Sequence, residues 1–393
     1  MNEDKATRYH RLKRQAGAAS VLWSVLLLAG LLWSGWSLAL RSLAEALAWS
    51  LTPSWASDVS PSSVASGFSR TAAAWSGAVT VIAYVSLLSL VHEIGSRPVA
   101  FYSGFLLERR YELSNERIGR WMRDQVKSLA IGWLLACGGA LVVYALIAVS
   151  PERWWLTAGL AFAALIVGLT EVAPVLLLPL FYHLKPLDRE SLRARLLALA
   201  ERAGARVLGA YEWGLSDKTR KANAALAGLG ATRRILVSDT MLAQYSDEEI
   251  EVVLAHELAH HVHGDIWKGI AFESGLIVVG FYLAARALDA LASPLGLRNV
   301  ADIAGLPVLL LAAGAVSLVM LPVAHAMSRA HERSADRFAL DLTRNPGAFI
   351  SAMRRLGEQN LAEERPSKIV QWLFYSHPPL RERIAAAQAF ANR

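Results

Sequence analysis

Cysteine and charged residues are both scarce in this chain of 393 residues. Cys137 is the only cysteine, which excludes an intramolecular disulfide and any metal site built from cysteine ligands. Only 19% of the residues are charged while 54% are hydrophobic, and this balance argues against a soluble protein of two or three domains. Cys137 lies within a long apolar run, where we expect its thiol to act as a small buried hydrophobic group.

Long apolar sequence is what the chain has in quantity, and six runs are long enough to cross a bilayer. They cover residues 17–40, 70–91, 128–149, 155–181, 266–288 and 305–327. Several of the thirteen tryptophans fall near the ends of these runs, where interfacial aromatic rings are favoured. The runs predict a mainly α, polytopic helical membrane protein with about six spans.

The net charge of +7 is distributed in a way that indicates membrane topology rather than nucleic-acid binding. Basic residues concentrate before the first apolar run and between the second and the third, whereas segments 41–69, 150–154 and 289–304 carry one arginine each. Under the positive-inside rule, both termini and the long segment between the fourth and fifth runs are cytoplasmic. Segment 41–69 is then an exported loop, and the lipid bilayer is an expected partner.

The runs divide the chain into four parts. Residues 1–181 form an N-terminal transmembrane region with four spans and a cytoplasmic loop at 93–127. Residues 182–265 form a cytoplasmic part with an amphipathic helix, short β-like runs and a capped helix. Spans five and six occupy 266–327, and 328–393 form a C-terminal helical part.

The segment His256–His260 has the pattern H-E-x-x-H. A capping box at Ser246 and Glu249 predicts that a helix begins just before it. Two histidines four residues apart on a helix project from one face, which suits Zn²⁺, and Glu257 between them can act as general base toward the attacking water. The alternative of two surface histidines flanking a glutamate is disfavoured by the capped helix.

A catalytic zinc site takes a third protein ligand, which this helix does not supply. His263 lies one further turn along the same straight helix, so it cannot converge with the other two histidines on one ion. In segment 328–336, Glu332 and Asp336 lie one helical turn apart. Glu332 can offer a ligand oxygen while Asp336 accepts the free N–H of a ligand histidine. A charged helix with i,i+4 pairs explains this segment equally well, so its residues alone leave both readings open.

At four places the chain resembles the type I CAAX prenyl protease family of membrane-embedded zinc metallopeptidases. The segments that carry the resemblance are His256–His260, Ser328–Asp336 with the pattern S-R-x-x-E-x-x-A-D, Tyr375–Pro379 followed by Arg383, and Asn223-Ala224. Residues 107–127 also resemble the cytoplasmic loop of the family. The likeness runs from about residue 90 to the C-terminus. Prenyl protease members of the family have a seventh span, whereas six runs are counted here.

The resemblance implies a role for each matching residue within a cytoplasmic, zincin-type α+β catalytic domain. The implied metal ligands are His256, His260 and Glu332, which would hold one Zn²⁺ per chain, and Glu257 is the implied base. His377 would donate a hydrogen bond to the developing oxyanion, Arg383 would orient the substrate or Glu332, and Asn223 would lie on an edge segment that pairs with the substrate backbone. A helix cap before Pro378 is the alternative role for His377.

These observations predict a zinc-dependent integral membrane endopeptidase that acts on a peptide or protein. A polytopic zinc transporter or sensor favours ligands within paired spans, and an inactive scaffold does not need Glu257. The family includes enzymes that trim prenylated C-terminal CAAX tails and HtpX-like heat-shock enzymes that degrade misfolded membrane proteins. An Arg- and Ala-rich composition indicates a bacterial source, hence a bacterial inner membrane with the catalytic side cytoplasmic. Both substrate classes and the oligomeric state stay open.

Overall fold

The computed structural model of the chain describes residues 4–51, 67–228 and 233–392, apart from the side chains of residues 67–74, 171, 174 and 175. The predicted exported loop 41–69 therefore lies partly outside the described residues. In chain order the helices are α1 (Lys5–Trp33), α2 (Trp36–Ser50), α3 (Gly67–Phe101), α4 (Leu107–Arg110), α5 (Ile118–Val149), α6 (Trp154–Val172), α7 (Leu178–Phe181), α8 (Glu190–Arg202), α9 (Asp239–Gln244), α10 (Asp247–Val262), α11 (Asp265–Leu291), α12 (Leu306–Thr343), α13 (Pro346–Gln359), α14 (Lys368–Phe374) and α15 (Leu380–Ala391).

Among the described residues, five helices are long and apolar enough to cross a membrane. They are Lys5–Trp33, Trp75–Arg110, Ile118–Val149, Asp265–Leu291 and Ile303–Thr343. A shorter apolar helix, Trp154–Thr170, lies at the fourth predicted span, and the π-helical turn Ala173–Leu177 continues α6 into α7. A second π-helical turn, Tyr102–Leu106, joins α3 to α4. The mainly α, membrane-spanning fold is confirmed, with five full-length spans and one short apolar helix in place of six equal spans.

The first span is shorter at its C-terminal end than the apolar run 17–40 predicts. Helix α1 ends at Trp33, and Gly35 adopts φ 75°, a left-handed conformation that glycine takes without steric cost. The first helix therefore ends here, and α2 packs against α3 and against the short 3₁₀ turn Ile303–Gly305 that precedes α12. Apolar periodicity continues through Gly35, so the break is set by backbone conformation and not by hydropathy.

A buried polar cluster ties α2 to this turn. The hydroxyl of Ser37 donates to the carbonyl of Ala304 at 2.6 Å and lies 2.7 Å from the hydroxyl of Tyr84. Arg41 pairs with Asp302, whose side chain is only 1% exposed and also accepts the backbone N–H of Arg298 at 2.9 Å. Because a buried charge is costly without a partner, this ion pair holds α2 against the turn that precedes α12.

The part of the chain outside the spans is built on a small mixed sheet. Its strands are β1 (Leu184–Pro186), β2 (Gly209–Trp213), β3 (Ala224–Ala227) and β4 (Arg234–Ser238), in the spatial order β1-β2-β4-β3. Strand β4 pairs parallel with β2 and antiparallel with β3, so β3 is an edge strand. Helices α8 and α10 pack on the sheet through buried leucine, isoleucine and valine side chains. This core fixes α10 beside the edge strand β3.

The N-terminal end of α1 lies against the C-terminal part of the chain. Nε2 of His10 is 2.8 Å from the carbonyl oxygen of Leu361, and Arg14 pairs with Glu363 at 2.8 Å. The predicted division of the sequence into four parts stays a prediction. In the fold, residues of the first and last of these parts contact each other.

Replacing Arg41 with methionine is expected to destabilise the protein by about 3 kcal/mol, because it leaves the carboxylate of Asp302 buried without its cation. Thermal unfolding of the detergent-solubilised protein measures the loss. The matched control is Arg298→Met, which breaks the exposed pair with Glu45 and should cost about 1 kcal/mol or less. Equal shifts in the two variants would contradict the assigned importance of the buried pair.

Candidate metal centre

Helix α10 carries the H-E-x-x-H segment and is held rigidly at its start. Ser246 and Glu249 form the predicted capping box: the backbone N–H of Ser246 donates to Glu249 at 2.9 Å, and that of Glu249 donates to the Ser246 hydroxyl at 3.3 Å. Glu249 is buried and also pairs with Arg355 at 3.0 Å. Most of the side chains between Ile250 and Ala259 are buried, so the helix has little freedom to rotate.

His256 and His260 on α10 meet Glu332 on α12. One ligand atom from each of the three lies within 4.8 Å of the others. Nε2 of His256 is 3.3 Å from Oε2 of Glu332, and Nε2 of His260 is 3.5 Å from Oε1. Tetrahedral ligands at about 2.0–2.1 Å from a zinc ion are separated by about 3.3–3.4 Å. The three side chains therefore have the spacing that a tetrahedral metal ion requires.

Each of the two histidines has a carboxylate on its other ring nitrogen. Asp336 lies 2.9 Å from Nδ1 of His256, and Asp265 lies 3.1 Å from Nδ1 of His260. A proton on Nδ1 of each ring would be held by these carboxylates, which leaves the Nε2 lone pairs free for a cation. Burial lowers the pKa of His256, but the adjacent carboxylates of Asp336 and Glu332 raise it more, to about 9. The site thus has a strong local preference for positive charge.

Asp265 is a residue that sequence reasoning missed. It is the first residue of α11, directly after Gly264, which adopts φ 67° and lets the chain turn sharply at the end of α10. The sequence signal that could identify Asp265 is an acidic residue five positions after His260, beyond a glycine that stops the helix. Its contact depends on the angle between α10 and α11, which the spacing of residues does not determine.

Both carboxylates are themselves held by cations. Nε of Arg383 donates to Oδ2 of Asp336 at 2.8 Å and its Nη2 donates to Oδ1 at 2.5 Å. Lys268 donates to Asp265 at 2.9 Å. Nη2 of Arg383 also lies 3.3 Å from Nδ1 of His256. The predicted action of Arg383 on the substrate or on Glu332 stays a prediction.

His377 lies next to the three clustered side chains. Its Nδ1 is 2.8 Å from Oε2 of Glu332, while 61% of its side chain is exposed. The approach lacks the geometry of a hydrogen bond, and Oε2 of Glu332 is a buried oxygen without a hydrogen-bond partner among the described residues. A buried carboxylate oxygen without a hydrogen-bond partner, beside two imidazole nitrogens, is suited to bind a cation, so the residues present fit a divalent metal.

Glu257 and Asn223 lie on the elements that border this cluster. Burial raises the pKa of Glu257, which directly follows His256, above its ordinary value. Asn223 precedes β3, and its backbone is tied to Ser238 by hydrogen bonds of 2.9 and 3.0 Å. Nε2 of His261 on α10 lies 3.4 Å from the carbonyl oxygen of Leu226, which connects the edge strand to the motif helix.

His263 takes no part in the three-residue group. Its Nδ1 lies 3.3 Å from the hydroxyl of Ser334, and its ring packs edge-on against Phe338 with ring centroids 5.4 Å apart.

Comparison with known proteins gives two family matches that together cover nearly the whole chain. Residues 186–391 match peptidase family M48, and residues 2–183 match the CAAX prenyl protease N-terminal region, which has five membrane helices. The chain is 31% identical over 315 residues to the uncharacterized metalloprotease YhfN of Bacillus subtilis, covering 79% of this chain and 74% of that protein. It is 25% identical over 328 residues to CAAX prenyl protease 1 of Saccharomyces cerevisiae, covering 78% and 71%.

A solved structure has the same fold. The crystal structure of S. mikatae Ste24p aligns with a TM-score of 0.73 at 19% identity, over 93% of this chain and 99% of that one. The fold and these matches define an integral membrane metallopeptidase. The chain belongs to peptidase family M48, which confirms the predicted resemblance and disfavours a transporter, a sensor or an inactive scaffold.

Removing either carboxylate behind the histidines is expected to weaken metal binding. Asp265→Ala and Asp336→Ala should each lower zinc affinity by about 10- to 100-fold, since such partners orient the imidazoles and raise their basicity. Competition with a chromophoric chelator measures the affinity. Asp341→Ala, an exposed aspartate on α12, is the control and should bind zinc like the parent protein. Unchanged affinity in Asp265→Ala would remove that residue from the metal centre.

Proposed function

We propose that His256, His260 and Glu332 hold one zinc ion per chain and that the protein hydrolyses peptide bonds there. The observation that carries this proposal is the convergence of two Nε2 atoms on the Glu332 carboxylate at 3.3 and 3.5 Å, with a carboxylate behind each ring. Zinc, when bound, supplies a Lewis acid that polarises the scissile carbonyl and makes water a better nucleophile.

Glu257 is the general base in this proposal. Its carboxylate accepts a proton from the attacking water and returns it to the nitrogen of the leaving amine. The burial that raises its pKa suits the first half of this task, because a group that is easier to protonate is the better acceptor.

His377 donates a hydrogen bond to the oxygen of the scissile carbonyl as negative charge develops on it. Its place beside Glu332 and its exposed ring support this role. Asp336 holds the tautomer of His256, and Arg383 holds Asp336 and compensates its charge. Asp265 does the same for His260.

The substrate binds as an extended segment along β3. That strand is at the edge of the sheet, so its outer backbone groups can pair with a peptide added as a further strand. Asn223 at its start would anchor one end of the peptide. Because β3 is linked to α10 through Leu226 and His261, a peptide bound there runs beside the metal ligands.

We infer further that the substrate carries an apolar portion. A cavity of about 1150 Å³ lies between the membrane helices and is lined mostly by leucine, valine, alanine and phenylalanine, with His92, Glu93 and Arg97 among its few polar side chains. Ser317 in its wall is fifteen residues before Glu332 on α12, about 22 Å along a helix axis. Prenylated C-terminal tails and misfolded membrane segments both have such a portion, and the relatives named CAAX prenyl protease 1 favour the first.

The metal side faces the cytoplasm of a bacterial cell in this proposal, with the protein in the inner membrane. The basic N-terminal end of α1 contacts the C-terminal part of the chain, so both lie on the same side as the metal centre. The positive-inside rule assigns that side to the cytoplasm.

Glu257→Gln is expected to abolish peptide cleavage while leaving zinc content and thermal stability unchanged, because an amide cannot accept the proton of the attacking water. Cleavage of a quenched peptide and elemental analysis measure the two properties. Glu251→Gln, elsewhere on α10, is the control and should keep its activity. Near-normal cleavage by Glu257→Gln would exclude this glutamate as the base.

The same inactive variant identifies the substrate class. Proteins retained by Glu257→Gln in membranes and identified by mass spectrometry should share either a lipidated C-terminal tail or an unfolded membrane segment.

Single cysteines introduced into a Cys137→Ser background test the orientation. Asp341→Cys on the metal side should react with a membrane-impermeant maleimide only after the cells are opened, whereas Ser50→Cys should react in intact cells with a permeabilised outer layer. Reaction of both positions from outside would contradict the assigned topology.

A further inference from the structure

We propose that the cytoplasmic end of α1 positions His377 through Arg14, Glu363 and Tyr375. The inference rests on the proposed role of His377 in catalysis, since its position matters only if the imidazole acts on the substrate. It assigns a function to Arg14, a charge that sequence analysis counts only toward membrane topology.

The exposed ring of His377 needs an anchor outside itself. Among the described residues, the close polar approach of its 61% exposed side chain is to Oε2 of Glu332, and that approach lacks hydrogen-bond geometry. Packing around the imidazole therefore cannot fix its place. The backbone on either side must do so, and Pro378 and Pro379 restrict the chain on the C-terminal side.

Tyr375 supplies the anchor on the N-terminal side, two residues before His377. Its carbonyl oxygen accepts a hydrogen bond of 2.6 Å from Nη1 of Arg329, a buried residue one turn before Glu332 on α12. The same nitrogen donates to the carbonyl of Gln371 at 3.2 Å. The backbone of the loop is thus tied directly to the helix that carries a proposed metal ligand.

The hydroxyl of Tyr375 is held from the opposite direction. It donates to the carboxylate of Glu363, whose side chain is only 5% exposed. Nη1 of Arg14 donates to the same carboxylate oxygen at 2.8 Å and reaches the tyrosine hydroxyl at 3.4 Å. Because Glu363 is buried, its negative charge is stabilised by the nearby cation of Arg14. The hydroxyl of Tyr375 donates its hydrogen bond to that charged carboxylate.

The contact between α1 and this region extends over about one helical turn. Nε2 of His10, four residues before Arg14 and so on the same face of α1, lies 2.8 Å from the carbonyl of Leu361. The ring of His10 is also 6.2 Å from that of Tyr375, centroid to centroid. Residues 361–363 are therefore held against α1, and Tyr375 is fixed between α1 and α12.

The test is a set of conservative variants assayed for both kinetics and metal content. Tyr375→Phe removes only the hydroxyl and should lower kcat by about tenfold, with KM and zinc content little changed, because a small displacement of a catalytic group costs rate rather than binding. Arg14→Gln should act in the same direction, and Arg14→Lys should restore part of the loss. Arg8→Gln removes an exposed charge from the same helix and should keep the parent kcat.

A double-mutant cycle tests whether Tyr375 affects kcat through the position of His377 or independently of it. If Tyr375 acts through His377, then adding Tyr375→Phe to His377→Ala should cause no further loss of kcat. Equal losses in the presence and absence of His377 would overturn the inference, as would a Tyr375→Phe protein with normal kcat and reduced thermal stability. If Tyr375→Phe folds poorly, Arg14→Gln tests the same coupling, because Arg14 acts on Tyr375 through Glu363.

The same variants distinguish the proposed role of His377 from the proposed positioning of His377 by Arg14, Glu363 and Tyr375. A His377→Ala protein with the parent kcat would refute both proposals. A loss of about a hundredfold in the kcat of His377→Ala, with no loss of kcat in Tyr375→Phe and Arg14→Gln, would support the role of His377. It would refute only the positioning of His377 through Arg14, Glu363 and Tyr375.

Discussion

The architecture around the candidate metal centre depends on three buried carboxylates, each of which needs positive charge close to it. Glu332, Asp336 and Asp265 are all buried, yet Arg383 and Lys268 compensate only the last two. Glu332 faces two imidazole nitrogens and keeps an oxygen without a hydrogen-bond partner among the described residues. Burying a carboxylate is costly unless positive charge lies close to it, and a protonated His256 or a bound metal ion would supply that charge to Glu332. We expect a metal ion bound there to strengthen the packing of α10 against α12.

The same helices connect this centre to the bilayer. Helix α12 begins as a membrane-capable segment and continues without interruption to Glu332 and Asp336, and α11 begins at Asp265 and then becomes a span. A movement of either helix in the membrane would shift Glu332 or Asp265. This continuity links the cavity between the spans to the cluster of His256, His260 and Glu332 just beyond them.

Sequence reasoning reached the features that local rules determine. The capping box and the spacing of His256 and His260 are properties of one helix, and the apolar runs identify the membrane helices. Glu332 lies over seventy residues away, and its segment also suited an ordinary charged helix, so family resemblance was needed to choose. The turn at Gly35 interrupts an unbroken apolar run, and Asp265 depends on the angle between two helices. Neither is encoded in periodicity.

Arg14 illustrates how one charge can satisfy two constraints. The positive-inside rule requires basic residues at the cytoplasmic end of α1 but does not specify which of them finds a partner. The buried carboxylate of Glu363 does specify it, since a buried anion needs a cation at short range. In the proposed arrangement, Arg14 on the first span contacts the carboxylate of Glu363 and the hydroxyl of Tyr375, so the membrane region takes part in holding the loop that carries His377.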